Sequence, residues 1–363
     1  MKSAPQFSEP LRPEPLRLEP VFSPRIWGAR SLAPLYPEKS DLAEPLGEAW
    51  LTGLDCKIAT SEFRGKTLGE AWREMPTEWR GTQFAAGQDF PLLVKFIFPK
   101  EMLSLQVHPD DAYAAIHEIA AGGRGKTEMW HVVSAEPGAH ILLGLKPGVD
   151  KKAFLAGLEN QTLESLFAKI PVQGGDTIFV PAGTPHSIGP GMIVCEVQEY
   201  SDLTYRVYDY GRLGADGKPR ELHIDKALCV TNFRASNAGK TSPVPLPGGA
   251  ETRTLLAACA FFATERREFA TEISAEITAE RFELLVVLAG NGHIRSKNLS
   301  LPYQAGECWL LPASLGRVHL HAEQGTEQGT VLLRTYVPDM AKLKAEFERT
   351  DISEARLAQA VFA

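Results

Sequence analysis

Cysteine is scarce in this chain, and no two cysteines are spaced as Cys-x-x-Cys. The five present, Cys56, Cys195, Cys229, Cys259 and Cys308, are scattered and odd in number. That pattern argues against a disulfide framework or a thiolate zinc site, and for a reducing compartment. An excess of positive charge is missing too. The formal net charge of −7 speaks against a general nucleic-acid or anionic-membrane surface, while leaving room for a local basic pocket around a small anion. No apolar run approaches the length needed to span a bilayer, and the Pro-rich, charged start of the chain has no apolar leader core. These absences point to a cytoplasmic protein with no membrane and no nucleic-acid partner.

What remains is ordinary globular composition, 44% hydrophobic and 23% charged over 363 residues, long enough for two or three packed domains. Prolines at 5, 10, 13, 15 and 20 favour an extended opening segment. Short apolar and aromatic pieces such as Pro24 to Gly28 and Leu46 to Thr52 follow, broken by turn residues, as in an all-β layer. Phe90 to Phe98 reads as a strand in which Lys95 sits among apolar neighbours, so it either snorkels to the surface or faces a polar cavity. Helices are expected at Thr67 to Met75, about 110–122 (stopped by Gly122-Gly123), about 150–170 and Asp225 to Phe233. Strands are expected at 128–133, 140–144, 175–181, 188–198 and 204–210. The Pro-, Gly- and Ser-rich stretch 236–249 reads as a linker, and Met340 to Ala363 as an amphipathic helical tail.

Chemistry concentrates in three pieces. Gln106 and His108 are two apart on a strand and share a face, as do Lys126 and Glu128. His186 closes a Pro181-Ala-Gly-Thr-Pro-His turn after a short apolar strand. Gln106, His108, Glu128 and His186 gathered inside a small β-barrel would make an N/O site for a divalent metal. Two neutral imidazoles, a carboxylate and an amide leave such a metal more Lewis-acidic than thiolates do. Lys126 beside a metal would have a lowered pKa, suiting it to proton transfer or to holding an anion. Glu196 and Gln198 share one strand face, with Cys195 and Val197 on the other. Asp202 and Arg206 follow, either as an ordinary ion pair or with Arg206 facing a polar cavity.

The second half echoes the first. Gly175 to His186 is matched by Gly306 to Arg317, with glycine, an acid, an apolar strand and Pro-Ala in the same places, and Glu128 to Val133 is matched by Glu283 to Leu288. This reads as duplication of one β-barrel unit. Arg317 falls at the place of His186, so the second copy is expected to hold no metal. His319-x-His321 is read as solvent-facing for want of a third ligand.

Leu105-Gln-Val-His-Pro-Asp-Asp111, Gly125-Lys-Thr-Glu-Met-Trp130, Pro181 to His186 and Ser201-Asp-Leu-Thr-Tyr-Arg-Val-Tyr-Asp-Tyr-Gly-Arg212 together resemble the type I mannose-6-phosphate isomerases in their short bacterial form. The similarity runs from about Trp27 into the second barrel. It implies a mainly β fold of two cupin-type (jelly-roll) barrels with a helical insertion region. The expected division is a catalytic metal-binding domain over 1–235 with an N-terminal extension, a linker at 236–249, and a degenerate second cupin domain over 250–363. It also implies one zinc per chain on Gln106, His108, Glu128 and His186, with Arg206, Lys126, Glu196 and Asp202 as catalytic residues. Arg206, Lys126 and Lys95 are expected to bind the substrate, a sugar phosphate. Longer members have a histidine before the lysine; Gly125 stands there, so that role does not transfer. His131 is expected to point away from the Lys126/Glu128 face. The reaction implied is conversion of mannose 6-phosphate to fructose 6-phosphate through a cis-enediol by a monomer or homodimer. Two other classes fit the ligand set less well: an Fe(II) cupin oxygenase, and a non-catalytic sugar-phosphate-binding cupin with a structural metal.

Overall fold

The structure, a computed structural model, describes residues 12–362 apart from 86, 215, 235–236, 324–328 and 351. Its strands form four antiparallel sheets. The first has seven strands, in the order Gly239–Lys240, Thr177–Val180, Glu128–Ala135, Met192–Glu199, Leu92–Ile97, Leu46–Trp50 and Val21–Ala29. A five-stranded sheet shares a core with its inner face, in the order Tyr205–Tyr208, Leu105–Val107, His186–Ile188, His140–Leu145 and Phe167–Pro171. That core is built from Trp130, Val132, Ile178, Val194 and Ile97 on one side and Ile141, Leu143 and Ile188 on the other.

The second half repeats the plan. A seven-stranded sheet runs Leu16–Leu18, Cys308–Leu311, Glu283–Ala289, Thr330–Tyr336, Ala263–Phe269, Thr252–Ala258 and Val244–Leu246. It shares a core with a four-stranded sheet of Glu272–Ile277, Gly316–Ala322, Asn291–Ser296 and Leu299–Gln304. The backs of the two seven-stranded sheets pack on each other. Leu92, Val94, Phe96, Cys195 and Val197 meet Leu256, Leu284, Val286, Cys308 and Leu333 in the largest apolar cluster. Period-two alternation explains how one strand serves both sides: Leu92, Val94 and Phe96 enter this shared layer, while Ile97 enters the first-half core and Lys95 the cavity beside it. Each fully buried Leu, Val or Phe contributes about 1.5–3 kcal/mol. The opening strand Leu16–Leu18 pairs with Cys308–Leu311, so the start of the chain belongs to the second half's sheet.

Several expectations meet a different outcome. The helix expected over 150–170 ends at Glu159; a 3-10 turn at Leu163–Leu166 and the strand Phe167–Pro171 follow. Gln161 takes the left-handed region (φ +57), which ends a helix, and pairing with His140–Leu145 overrides the apolar spacing that suggested continuation. The run 188–198 is two strands in different sheets, because Gly189-Pro190-Gly191 turns the chain across the core. Within 236–249, Gly239–Lys240 and Val244–Leu246 are sheet-edge strands. Arg317, the sequence counterpart of His186, projects outward and is 72% exposed. Val318 points into the core instead, since the turn between the two strands is one residue shorter there, four residues (312–315) against five (181–185).

Candidate active site

The strand Leu105–Val107 is hydrogen-bonded to His186–Ile188, with Gln106 directly opposite His186. On the facing sheet Glu128 opens its strand opposite Gln198, and Glu196 lies between Lys95 and Trp130 in register. Two sheet faces therefore bring residues about 80 positions apart into one place. His108, Glu128 and His186 converge so that one ligand atom from each lies within 4.8 Å of the others, the single such group among the described residues. All three are buried.

Each imidazole is set by its outer nitrogen. His108 Nδ1 is 2.6 Å from the Leu203 carbonyl and His186 Nδ1 is 2.9 Å from that of Thr184. A carbonyl only accepts, so Nδ1 carries the proton and the Nε2 lone pair faces inward. His186 Nε2 is 3.2 Å and His108 Nε2 3.9 Å from Glu128 Oε1. Burial, with Lys126 adding to it, holds His108 well below the usual imidazole range, and burial takes His186 down to about 4, so both are neutral. Both carboxylate oxygens of Glu128 are buried without a well-directed hydrogen bond. Gln106 Nε2 is 3.3 Å from His186 Nε2, and rotation of the amide by a half turn puts Oε1 there. Two neutral nitrogens, a buried carboxylate and an amide oxygen are a donor set that fits a divalent cation of zinc type.

Around this cluster runs a chain of charges. Lys126 Nζ is 2.9 Å from Glu128 Oε2 and 3.1 Å from Glu196 Oε1. Burial pushes Lys126 down, but the Glu128 and Glu196 carboxylates outweigh it and the net is upward. Glu196 is raised, chiefly by burial and against the pull of Lys126 and Lys95. Lys95 does not snorkel: it is 2% exposed, its Nζ 3.4 Å from Asp202 Oδ1 and 4.9 Å from the Trp50 ring. Asp202 thus pairs with Lys95, while Arg206 sends Nη1 to the Glu221 carbonyl at 2.9 Å and leaves its buried Nε without a partner. His131 turns away as expected, to Thr177 Oγ1 at 3.0 Å.

All of Gln106, Glu128, Lys126, Lys95, Glu196, Asp202 and Arg206 line one cavity of about 470 Å³. Residues not singled out from sequence line it too, among them Arg25, Glu48, Ser104 and Arg220. Glu48 accepts from Arg25 Nη2 at 2.6 Å and Trp50 Nε1 at 2.9 Å. A carboxylate inside the short strand Leu46–Trp50 was the available signal, of the same kind as Lys95. Gly125 is explained by space: a Cβ there would stand 2.5 Å from backbone atoms of Asp110 and Asp111. His319 and His321 lie on the solvent face, with exposures of 42% and 37%.

Comparison with known proteins agrees with this geometry. Residues 16–128 match the family model of phosphomannose isomerase type I, catalytic domain. The mannose-6-phosphate isomerase ManA of Bacillus subtilis (strain 168) is 34% identical over 306 residues, 83% of this chain and 94% of that protein. The crystal structure of the mannose 6-phosphate isomerase from Bacillus subtilis gives a TM-score of 0.79 at 30% identity, covering 89% of this chain and 99% of that one. A mannose 6-phosphate isomerase solved with zinc and yttrium bound shares the fold at TM-score 0.66 and 18% identity, over 89% of this chain and 99% of its own.

Proposed function

This chain belongs to the type I phosphomannose isomerase family, and we propose that the charged cluster around Glu128 carries its chemistry. The protein interconverts mannose 6-phosphate and fructose 6-phosphate. Supporting the assignment of the site is one observation above others: two neutral imidazoles converge on a buried carboxylate that lacks well-directed hydrogen bonds, at the wall of a cation-lined cavity. In this reading Gln106, His108, Glu128 and His186 hold one zinc ion per chain. Bound there, zinc supplies Lewis-acid polarisation of the substrate's C1 and C2 oxygens.

The chain's own residues do the rest. Aldose and ketose differ in the place of one carbon-bound and one hydroxyl hydrogen, so a proton must leave C2 and return to C1 on one face of a cis-enediol while another passes from O2 to O1. Glu196 is the acceptor in this scheme: burial raises its pKa and so its basicity, and Lys126 Nζ lies 3.1 Å from its Oε1. Lys126, held protonated between two acids, donates to O1 as it gains negative charge and recovers a proton from the O2 hydroxyl as C2 becomes the carbonyl. Asp202, half exposed and paired to Lys95, serves ring opening. Arg206, with a free Nε on the cavity wall, holds the phosphate, helped by Lys95 and Lys126.

We also propose the finer architecture: two cupin-type jelly-roll barrels, a catalytic domain over 1–235 that lends its opening strand Leu16–Leu18 to the second half's sheet, a connection at 236–249 that adds an edge strand to each large sheet, and a degenerate second domain over 250–363. Support comes from register. Lys95, Glu196, Lys126 and Glu128 correspond in strand position to Glu265, Arg334, Arg281 and Glu283. The second set inverts two of the four charges, with Glu265 in place of Lys95 and Arg334 in place of Glu196. No described helix is long and apolar enough to cross a membrane; a monomer or homodimer in the cytoplasm is the state proposed.

The test is turnover of mannose 6-phosphate in a coupled assay, with metal analysis and chelator. We expect about one zinc per chain, loss of turnover on chelation and recovery with zinc. His108→Ala, His186→Ala or Arg206→Ala should cost about 100-fold or more in kcat/KM with the fold intact. Turnover that survives full metal removal would refute the zinc assignment. Sugar-phosphate binding without turnover, or oxygen consumption with iron, would support the two rejected classes.

A further inference from the structure

Lys126 and Glu128 leave a segment, 124–127, that is neither helix nor strand, yet both side chains must be held to within a fraction of an ångström for the chemistry above. The restraint comes from outside the cavity. Glu199 Oε1 accepts the Thr127 N–H at 2.7 Å, and Asp111 Oδ1 accepts the Gly125 N–H at 2.7 Å. These two amides straddle Lys126, whose own N–H goes to the Pro109 carbonyl at 3.0 Å. The Thr127 carbonyl receives the Glu199 N–H at 3.1 Å, and Ser201 Oγ donates to the Arg124 carbonyl at 3.1 Å. Gly125 is pressed onto the start of the Asp111–His117 helix, where no side chain fits.

Asp111 is not used by its own helix, which Asp110 caps through Tyr113 N. Helix-dipole preference accounts for an acid at that position but not for its reach to Gly125. Glu199 is 6% exposed and pairs with no cation among the described residues; the Asp111 carboxyl near it raises its pKa further beyond the effect of burial. A buried carboxyl spent on one backbone amide, beside a second acid, is costly. A neutral side chain would fill that volume at lower cost. Neither residue lines the cavity.

We propose that Glu199 and Asp111 are positioning residues for the isomerase, clamping the peptide on either side of Lys126 so that Lys126 and Glu128 keep their places at the metal cluster. This rests on the assignment of Lys126 and Glu128 above.

The experiment measures kcat, KM, zinc content and thermal midpoint for Glu199→Ala, Glu199→Gln, Asp111→Ala and Asp111→Asn. Gln and Asn keep an acceptor oxygen for the amide. Both alanine variants should lose roughly 10-fold or more in kcat per bound zinc, with KM within about threefold, and the amide variants should recover most of it. Glu199→Ala added to Lys126→Ala should lower kcat no further, because both act through one group. Additive losses, alanine variants with wild-type kcat, or amide variants as poor as alanine would each overturn the proposal. Should Glu199→Ala fail to fold, the exposed Asp111 pair decides alone. Absence of turnover in the wild type would instead sink the assignment beneath it.

Discussion

Arg334 offers a test of why the second half exists in its present form. Its guanidinium is inside the second half's core layer, with Nε 2.6 Å from Glu283 Oε2 and Nη1 2.9 Å from Glu265 Oε1. A further Nη2 bond reaches Glu283 Oε1, and the Tyr336 ring is 4.7 Å away. These positions correspond in register to the catalytic charges of the first half, but each acid here is fully matched by arginine. Arg334→Met strands two carboxylates that are 4% exposed. Breaking a buried pair costs about 3–5 kcal/mol. Glu265 keeps Arg253 at 2.7 Å and Glu283 keeps Arg281 at 3.9 Å, so about 3 kcal/mol is expected from urea unfolding. The triple change Arg334→Met, Glu265→Leu, Glu283→Leu should return to within about 1 kcal/mol of wild type, since apolar residues of similar size replace buried ion groups at little cost. Turnover of the folded single variant should stay within about twofold. A tenfold fall in kcat with unchanged stability would refute a purely structural network.

Other outcomes follow from buried groups. Glu199 is raised to about 8 by burial and the neighbouring Asp111 carboxyl, so between about pH 4.5 and 8 the folded state holds a proton that the unfolded state has released. Its contribution is therefore complete below pH 4.5 and is lost as pH rises through 8, by up to about 4.8 kcal/mol at 1.36 kcal/mol per unit. Glu199→Gln mimics the protonated acid; the variant should match wild type at pH 5 and exceed it in stability at pH 8.5, and a difference that does not change with pH would be the contrary result. Burial pushes the thiols up, Cys56 to about 11 and Cys259 to about 12, with Cys195 and Cys308 also raised, while Cys229 is exposed. A thiol reagent at pH 8 should titrate one cysteine in the native protein and five in denaturant; rapid reaction of more than one native thiol would contradict the packing of the two large sheets.

Sequence alone determined the mainly β class, the alternation that sends Lys95 and Ile97 to one side of their strand and Leu92, Val94 and Phe96 to the other, and the shared faces of Gln106 with His108 and of Lys126 with Glu128; the gathering of Gln106, His108, Glu128 and His186 was implied by the family resemblance. The class, the alternation and the shared faces depend on two-residue spacing and short turn signals, which are local and written in adjacent residues. Only the tertiary structure decided which groups answer them. That Lys126 lies between Glu128 and Glu196 depends on pairing strands about 70 residues apart. So does the choice of Lys95, rather than Arg206, as the partner of Asp202. Arg317 aligns with His186 in sequence yet points to solvent, because turn geometry sets which face a strand presents and one residue of slip reverses it. Charge balance and facing are properties of neighbours across sheets, and a linear pattern records neighbours along the chain.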